Sequence, residues 1–225
     1  MVKVLLLVLL SLFTFSCSHG PINNPHLYIG KLETYTKISD EENVIEIYRG
    51  NGTGFAIGKH EILTAGHVCE SLNEPNSVMY LTYFDGKSLQ KLEEELIPIY
   101  KDLEKDLCIL SIKNNPLKVI EFANKPSKIW SKIYTFGFPK GMSFVLTSGF
   151  YGYNVDLKYM EEGKKLEAHV TSLSLAVFYG NSGGPILNEK GEFVGILIAI
   201  HGQYHHISYT PRYDNIKTFL EERYK

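Results

Sequence analysis

The stretch Gly180-Asn181-Ser182-Gly183-Gly184-Pro185-Ile186-Leu187 determines how the rest of the chain is interpreted. It places a serine among three glycines, which lack side chains, so the backbone can adopt unusual angles and a carbonyl group can approach its N–H groups. A serine hydroxyl is a useful nucleophile at neutral pH only with a base, a carboxylate that orients the base, and donors for the oxyanion. Ser182 is therefore a candidate nucleophile, and the backbone amides of Gly180 and Ser182 are the candidate oxyanion donors. An ordinary glycine-rich loop is the alternative interpretation.

The residues after Ser182 indicate the fold class. Residues 180–184 also satisfy Gly-x-Ser-x-Gly, the sharp turn of α/β-hydrolases, but that turn leads from a strand into a helix and has its histidine downstream. Here Pro185-Ile186-Leu187 is typical of a strand, residues 188–191 of a tight turn, and Phe193 begins another strand. This is a hairpin of an antiparallel sheet. We therefore expect an all-β protein rather than a parallel α/β one.

Composition agrees with a globular chain. The 225 residues are 44% hydrophobic, enough to bury a core in one or two small domains. The formal net charge is −2, with both signs scattered along the chain, so no basic field for nucleic acid exists and nucleic-acid binding is excluded as a function class. Short runs of Val, Ile, Tyr, Phe and Thr alternate with Gly, Asn and Pro turns, which again favours strands.

The first seventeen residues differ from the rest. One positive charge at Lys3 precedes a nearly unbroken apolar run from Val4 to Phe15, which is too short for an ordinary membrane-spanning helix of about 20 residues. We expect residues 1–17 to be a signal peptide and the protein to be exported to the periplasm, the envelope surface or the medium. The run ends at Cys17 and resembles the lipobox of bacterial lipoproteins, although Thr14 and Phe15 depart from it. Membrane attachment through a lipidated Cys17 and a plain cleaved signal are the two alternatives.

Turn residues divide the remainder into two similar halves. We expect a tether over 18–26, an N-terminal β-domain over 27–118, a C-terminal β-domain over 119–211 and a helix over 212–225, whose apolar residues are spaced three and four apart. The predicted strands of the first half are 44–48, 53–57, 61–64, 78–84, 96–100 and 107–112, with a turn at 49–52. Those of the second half are 132–137, 144–151, 166–172, 184–187, 193–200 and 206–210.

Cysteine usage gives a limited constraint. Apart from Cys17 there are only Cys69 and Cys108. They could form one disulfide in an oxidising compartment, although isolated cysteines more often serve as buried core residues. No Cys-x-x-Cys pair occurs, so we predict no metal site, and no cofactor is required by the candidate chemistry.

Two further motifs supply a base and a carboxylate. In Thr64-Ala65-Gly66-His67-Val68-Cys69 a histidine follows directly on a strand. Asp106 opens the apolar strand 107–112, a position where a carboxylate costs burial energy unless it has a partner. Asp102 is a nearby competitor, but Asp106 abuts the strand. His67 and Asp106 are therefore the candidates to activate Ser182.

Four motifs in sequence order now carry a resemblance: residues 52–55 (Gly-Thr-Gly-Phe), 64–68, 106–110 and 180–185. Together they resemble the trypsin-like serine proteases, whose triad also runs His, Asp, Ser. Residues 136–139, 147–149 and 195–196 are similar to the HtrA/DegP-like and glutamyl-endopeptidase-like branches. The resemblance covers roughly residues 44–211. It implies two six-stranded antiparallel β-barrels with the site between them, and an endopeptidase that forms an acyl-enzyme with His67 as base, Asp106 as its orienting carboxylate and Ser182 as nucleophile.

The resemblance also implies how a polypeptide substrate would bind. Ile198, Ala199 and Ile200 fall on the strand that pairs with extended substrate, and Ala176, six residues before Ser182, falls on the floor of the primary specificity pocket. An apolar floor offers no partner to Lys or Arg, so we expect a preference for small or medium apolar side chains. The alternative is selection of an acidic side chain by His201, His205 and His206, unless these belong to an exposed loop.

Other features concern activation and alternatives. Asn181 stands where digestive members of the family carry an aspartate that pairs with a newly cut N-terminus, so activation by N-terminal insertion is not expected. We also expect no PDZ module. The alternative functions are a catalytically silent binding protein with the trypsin fold, and a lipoprotein that serves mainly as an anchor.

Overall fold

A computed structural model of the chain describes residues 28–39, 43–84, 88–161 and 164–224. The predicted signal peptide, Cys17, the whole predicted tether and residue 27, the predicted start of the first domain, lie on residues 1–27, outside the described residues. Among the helices of the described part, none combines the length and apolar character needed to cross a membrane.

Two antiparallel sheets of seven strands and one C-terminal helix make up the fold, which confirms the predicted all-β class. The first sheet has the order β5-β4-β1-β2-β3-β7-β6. Its strands are β1 (Ile29–Ser39), β2 (Val44–Gly58), β3 (Glu61–Ala65), β4 (Ser77–Phe84), β5 (Leu89–Lys91), β6 (Ile97–Asp102) and β7 (Leu107–Ser111). Between β3 and β4 lies the short helix α1 (Gly66–Glu70).

The second sheet has the order β12-β11-β8-β9-β10-β14-β13. Its strands are β8 (Lys132–Gly137), β9 (Val145–Glu161), β10 (Lys164–Ser174), β11 (Pro185–Leu187), β12 (Phe193–Ile196), β13 (Ala199–Ile200) and β14 (Ile207–Pro211). The hairpin predicted after Ser182 is the β11–β12 pair, in which Pro185 lies opposite Ile196. Closure of either sheet into a barrel, and the domain boundary at residue 118, stay predictions.

Each sheet has seven strands rather than the six predicted. The predicted turn at 49–52 is wrong, because β2 runs unbroken from residue 44 to 58 against the long strand β1. A register irregularity opposite Thr34 and Tyr35 accommodates Arg49, as one extra residue does in a bulge. Strands β1 and β5 were not predicted, and the predicted strand 193–200 is two strands, β12 and β13.

The two sheets share one of the three apolar clusters. Phe55 of β2 and Phe193 of β12 are both buried, with ring centroids 5.0 Å apart. The C-terminal helix α2 (Tyr213–Glu222) inserts Ile216 and Phe219 into the same cluster, as its three-residue spacing predicts. Burying a side chain of this size contributes about 1.5–3 kcal/mol relative to leaving it in water. The helix therefore helps to hold together the sheets that carry the candidate site.

Candidate active site

Sheet register brings His67 and Asp106 together. Ala65 ends β3 and lies opposite Leu107, the first residue of β7, so the residues just beyond both lie at the same end of the sheet. His67 stands in α1, directly after β3, and Asp106 ends the turn that precedes β7. The predicted base and the predicted carboxylate are therefore neighbours because of strand pairing, although 39 residues separate them.

The Asp106 carboxylate contacts His67 in two ways. One oxygen, Oδ1, accepts the backbone N–H of His67 at 2.7 Å, and the other, Oδ2, lies 2.8 Å from Nδ1 of the imidazole ring. The two contacts orient the ring and leave Nε2 as the nitrogen that can accept a proton from another group. Asp102, the competing candidate, instead bonds the backbone N–H and the ammonium of Lys105.

The backbone around the pair is tightly constrained. Asp106 has a φ of 53°, in the left-handed region that a non-glycine residue adopts only at a cost of roughly 1–2 kcal/mol. Gly66 lies directly against it, because a Cβ at Gly66 would approach Asp106 Oδ1 to 3.0 Å. A side chain at position 66 would therefore press on the carboxylate.

The environment favours the protonated form of His67. Partial burial of the ring lowers its pKa, but the hydrogen bond that the ring donates to Asp106, the charge of Asp106 and the charge of Glu70 together raise the pKa of His67 above the usual 6.5. An imidazole whose cation is stabilised in this way is suited to accept a proton during a reaction.

A disulfide joins Cys69 to Cys108, with a Cα–Cα separation of 6.4 Å. The expectation that two buried core thiols are the commoner state is therefore wrong for this pair, although both residues are buried. Cys69 follows His67 by two residues in α1, and Cys108 lies opposite Thr64 in the β3–β7 pair. The disulfide therefore connects the helix that carries His67 to the strand that follows Asp106.

Ser182 lies in a tight loop whose two glycines at positive φ explain its composition. Gly180 has a φ of 95° and Gly183 a φ of 84°. Asn181 N–H donates to Phe178 O at 3.0 Å, and Gly183 N–H donates to Leu197 O at 2.7 Å. Among the described residues, by contrast, the N–H groups of Gly180 and Ser182 have no acceptor. These two are the amides predicted to bind an oxyanion.

The loop is bonded to the sheet that carries His67. Thr53 N–H donates to Ser182 O at 2.8 Å. A Cβ at Gly183 would clash with Thr53 O at 2.1 Å and approach Ala65 N to 3.1 Å, so the loop lies against the end of β3. Ser182 is thus placed next to the strand that leads into His67. Within the described part of the chain, however, no hydrogen bond joins Ser182 Oγ to the His67 ring.

Comparison with known proteins fits this geometry. Residues 52–196 match the family model described as "Trypsin-like peptidase domain". The chain belongs to the trypsin-like peptidase family. "Serine protease HTRA2, mitochondrial" of Drosophila virilis is 30% identical over 181 residues, and that of Drosophila erecta is 29% identical. Each alignment covers 78% of this chain but only 40% of the relative's length.

Solved structures show the same fold. The active form of the Rv3671c protease from M. tuberculosis superposes with a TM-score of 0.68 at 20% identity, covering 88% of this chain and 81% of that chain. The inactive form of that protease superposes with a TM-score of 0.66 at 19% identity, covering 88% and 89%. Both the family resemblance and its HtrA-like character, predicted from the four motifs, are confirmed.

In this trypsin-like peptidase, the residues predicted to bind substrate fall into two places. Ala176, His205 and His206 line one open pocket of about 370 Å³, together with Thr147, Phe178 and Asn181. Its remaining lining residues are Pro139, Val145 and Val177. The pocket therefore adjoins the Ser182 loop through Asn181 and combines an apolar wall with two imidazoles.

The second group, Ile198, Ala199, Ile200 and His201, does not line that pocket. Ala199 and Ile200 form β13, which pairs with β14 and is the last strand of its sheet, so its other side is an open edge. His201 has a local role, since its Nδ1 lies 3.2 Å from Gln203 N and 3.3 Å from Tyr204 N and accepts from both. Its position in this turn does not support a role in selecting acidic substrates.

Asn181 is nearly fully buried in this trypsin-like peptidase. Its Oδ1 has no hydrogen-bond partner among the described residues and packs against Gly137, where a Cβ would lie only 2.8 Å from that oxygen. The Asn181 side chain therefore fixes the loop by packing rather than by an ion pair.

One exposed cluster has the composition of a metal site. Donor atoms of Asp156, Glu167 and His169 lie within 4.8 Å of one another on β9 and β10. Asp156 already pairs with His169 at 2.7 Å and with the Arg212 guanidinium, which supplies the positive charge that a cation would bring. We assign this cluster to surface ion pairing.

One residue in contact with the site, Thr53, was not predicted from the sequence. It belongs to the Gly-Thr-Gly-Phe motif, for which no role of Thr53 was predicted, and its N–H, hydroxyl and carbonyl groups all form hydrogen bonds at the site. The only signal was its place between two glycines, which cannot indicate a contact with a loop about 130 residues further on.

Proposed function

We propose that this chain is a serine endopeptidase that cleaves extended polypeptides through an acyl-enzyme, with His67, Asp106 and Ser182 as its triad. The observation that carries the proposal is the double contact of the Asp106 carboxylate with His67, next to a serine loop in which the N–H groups of Gly180 and Ser182 have no acceptor in the described part of the chain. This combination supplies an oriented base, a nucleophile and oxyanion donors in one place. A histidine with only a structural role would require neither a neighbouring serine nor oxyanion donors.

In the first step Ser182 Oγ attacks the carbonyl carbon of the scissile peptide bond, and its proton passes to His67 Nε2. The oxygen of the tetrahedral intermediate is stabilised by the N–H groups of Gly180 and Ser182. Asp106 stabilises the imidazolium that forms, in keeping with the raised pKa of His67. Since Ser182 Oγ and the ring are not hydrogen-bonded in the free chain, we infer that this contact tightens when substrate binds.

In the second step the imidazolium gives its proton to the leaving amine, and the C–N bond breaks to leave an ester on Ser182. Water then attacks the ester carbon, with His67 accepting the proton of the water and returning one to Ser182 Oγ. The same amides stabilise the second tetrahedral intermediate. Neither step uses a group beyond these residues and water.

Substrate is expected to bind along the open edge of β13. An extended polypeptide can add as a further strand along Ile198, Ala199 and Ile200, because main-chain hydrogen bonding requires no particular side chain. The side chain before the scissile bond would then be selected near Ala176. We propose a preference for small or medium apolar residues, with acidic residues as the alternative that His205 and His206 would favour.

A cleavage profile over a peptide library distinguishes these preferences. Cleavage after small or medium apolar residues supports the apolar wall, whereas cleavage after Glu, lost in His205→Ala or His206→Ala, supports the imidazoles. Cleavage mainly after Lys or Arg would contradict both, because no carboxylate lines the pocket within the described residues.

We also propose that residues 1–17 direct export and that Cys17 anchors the protein by acylation. The prediction rests on the apolar run that ends at Cys17. Cys17→Ser should move the protein from the membrane to the soluble fraction without changing export. If the variant fractionates like the wild type, Cys17 is not the anchor.

Active-site labelling tests the proposed chemistry. A fluorophosphonate probe should label the wild type by displacement of fluoride by Ser182 Oγ, and Ser182→Ala should abolish both labelling and peptide hydrolysis. Ser174→Ala is the matched control, because Ser174 is an exposed serine of β10. An unlabelled wild type, or equal labelling of Ser182→Ala, would favour a catalytically silent binding or anchoring protein instead.

A further inference from the structure

Thr53, a fully buried residue of β2, forms four hydrogen bonds, two of which bind the Ser182 loop. Its N–H donates to Ser182 O and its hydroxyl to Gly180 O, both at 2.8 Å. Its hydroxyl oxygen also accepts Phe138 N–H at 3.3 Å, and its carbonyl accepts the Thr64 hydroxyl at 2.8 Å. One residue thus contacts the loop, the strand before His67 and the turn after β8.

These contacts matter because Gly180 is conformationally free. A glycine at a φ of 95° can rotate its flanking peptides at little cost, so the direction of its N–H is not fixed by its own backbone. The preceding peptide is held by Lys140 N–H, which donates to Tyr179 O at 2.7 Å. In a trans peptide the N–H points opposite to the carbonyl, so Gly180 N–H points away from Lys140. The following peptide is held by the Thr53 hydroxyl.

We propose that the Thr53 hydroxyl is a positioning residue for the oxyanion site, a role that rests on the proposed endopeptidase function. By fixing the Gly180 carbonyl it limits rotation about Gly180, so the N–H groups of Gly180 and Ser182 stay directed at one point. It touches neither substrate nor the reacting atoms. Its effect should appear in the transition state, where the oxyanion has formed, more than in the bound substrate.

Thr53→Val removes the hydroxyl at nearly constant volume and leaves the backbone bonds in place. We expect kcat to fall about 10- to 100-fold with little change in KM, as a small misplacement of catalytic groups does. Binding of a peptide boronate, which forms a tetrahedral adduct on Ser182, should weaken by a similar factor, while binding of a product peptide should not. Thr53→Ser keeps the hydroxyl and should restore most of the activity.

Thr171→Val is the matched control. Thr171 is equally buried, and its hydroxyl donates to Asn154 Oδ1 at 2.7 Å rather than to a residue of the Ser182 loop. Thr171→Val should lower the free energy of unfolding but leave kcat and boronate affinity unchanged. The proposal is overturned if Thr53→Val keeps wild-type kcat, or if Thr53→Ser is as impaired as Thr53→Val in folded protein. A wild type that no fluorophosphonate labels would instead contradict the proposed function itself.

A separate observation concerns Trp130, the only tryptophan of the chain. Its side chain is 67% exposed, and its φ of 67° places a bulky residue in the left-handed region, where glycine would be easier to accommodate. It belongs to the turn in which Ser131 N–H donates to Lys128 O. Backbone strain at an exposed aromatic residue is typical of a surface that binds a partner.

The surroundings of Trp130 are aromatic and basic. The exposed ring of Tyr153 lies 5.9 Å from it, edge to face, and the exposed Phe150 lies opposite Lys132 in the β8–β9 pair. Lys128 and Lys132 are exposed and form no ion pair within the described ranges. From residue 122 to residue 155 the sequence contains no Asp or Glu. We name Lys128, Trp130, Lys132, Phe150 and Tyr153 the aromatic-lysine surface.

We infer that the aromatic-lysine surface docks on an anionic lipid bilayer. Tryptophan and tyrosine favour the headgroup region of a membrane, and lysines close to an anionic membrane surface are attracted to it. Lysines are depleted at protein–protein interfaces, which favours a bilayer over a protein partner. Such docking would hold the peptidase at a membrane independently of Cys17.

The single tryptophan reports directly on this docking. With Cys17→Ser protein, vesicles containing phosphatidylglycerol should shift Trp130 emission to shorter wavelengths, and phosphatidylcholine vesicles should not. Replacing Lys128 and Lys132 together by Gln should abolish the shift, whereas Lys217→Gln, on the exposed side of α2, should retain it. The inference is overturned if emission does not move, or if neutral vesicles or the double variant give the wild-type shift.

Discussion

His67 and Asp106 are held together within one sheet, whereas Ser182 is held by bonds that cross from one sheet to the other. The first pair is fixed by β3–β7 register, by two contacts to one carboxylate and by the Cys69–Cys108 disulfide. Ser182 is fixed by hydrogen bonds between its loop and Thr53 of the first sheet. A disulfide and strand pairing therefore secure the base, while hydrogen bonds and the packing of Asn181 secure the nucleophile.

This difference indicates which part of the site can change with conditions. A strand register cannot slip without moving every side chain to the opposite face, so the His67–Asp106 pair should persist as long as the first sheet is folded. The Ser182 loop depends on a few individual bonds around two glycines at positive φ. Substitutions in the first region, around His67 and Asp106, should therefore act on proton transfer. Substitutions in the second region, the Ser182 loop, should act on oxyanion binding.

Among substitutions that keep Ser182, the largest effect is expected from Asp106→Asn. Asparagine tolerates the φ of 53°, so the fold should be kept, but the neutral amide no longer stabilises the imidazolium and favours the wrong tautomer of His67. We expect kcat to fall about 10⁴-fold at neutral pH, as in other Ser-His-Asp sites. Steady-state hydrolysis of a peptide substrate measures it. Asp102→Asn is the control, and equal losses in both variants would contradict the assignment of Asp106.

A smaller but still large effect is expected from Gly180→Ala in the other region. The φ of 95° disfavours any side chain, and a Cβ there would lie 2.5 Å from Phe138 O. Loss of one aligned oxyanion donor lowers kcat about 10²- to 10³-fold. Gly202→Ala provides the comparison, because nothing lies within 4 Å of a Cβ at Gly202. Unchanged kcat in Gly180→Ala would show that this amide is not an oxyanion donor.

Both regions were recognisable from the sequence, but for different reasons. Residues 64–68 and 106–110 each join a strand to a polar residue, and strand pairing brings such junctions together. The Ser182 loop was recognisable because its glycines and the hairpin after it satisfy local rules that need no distant contact. The C-terminal helix was equally local, since Ile216 and Phe219 fall on one face.

What the sequence did not reveal depends on distant contacts. Residues 49–52 have the composition of a turn, yet pairing with β1 keeps them extended, because cross-strand contacts override local preference. A disulfide between Cys69 and Cys108 was only one of two alternatives from the sequence, because the β3–β7 register that places Cys108 opposite Thr64 is not visible there. Thr53 is an ordinary strand residue by composition, and its role depends on a loop that the chain supplies much later.

The disulfide offers a way to weaken the first region without touching its catalytic groups. Replacing Cys69 and Cys108 together by Ala should lower the free energy of unfolding by about 3–4 kcal/mol, the loop-closure value for a sequence separation of 39. Denaturant unfolding measures this change. At temperatures where the variant stays folded, boronate affinity should change less than kcat, because the oxyanion amides belong to the other region. A larger change in boronate affinity than in kcat would contradict the conclusion that the two regions are held independently.

The smallest effect concerns the protonation of His67. Its pKa is raised above 6.5, so hydrolysis should be lost as the pH falls through that raised value, where the imidazole becomes charged and can no longer accept a proton. The raised pKa also stabilises the folded protein. This contribution is fully present below the pKa of His67 in the unfolded chain, and it is lost as the pH rises through the pKa of His67 in the folded protein.

In Asp106→Asn the midpoint of the His67 ring titration, followed by NMR, should move down, because the hydrogen bond and charge that raise it are gone. Thr53→Val should leave the midpoint where it is, since it alters only the serine loop. A midpoint that moves in Thr53→Val but not in Asp106→Asn would mean that the two regions are not held independently.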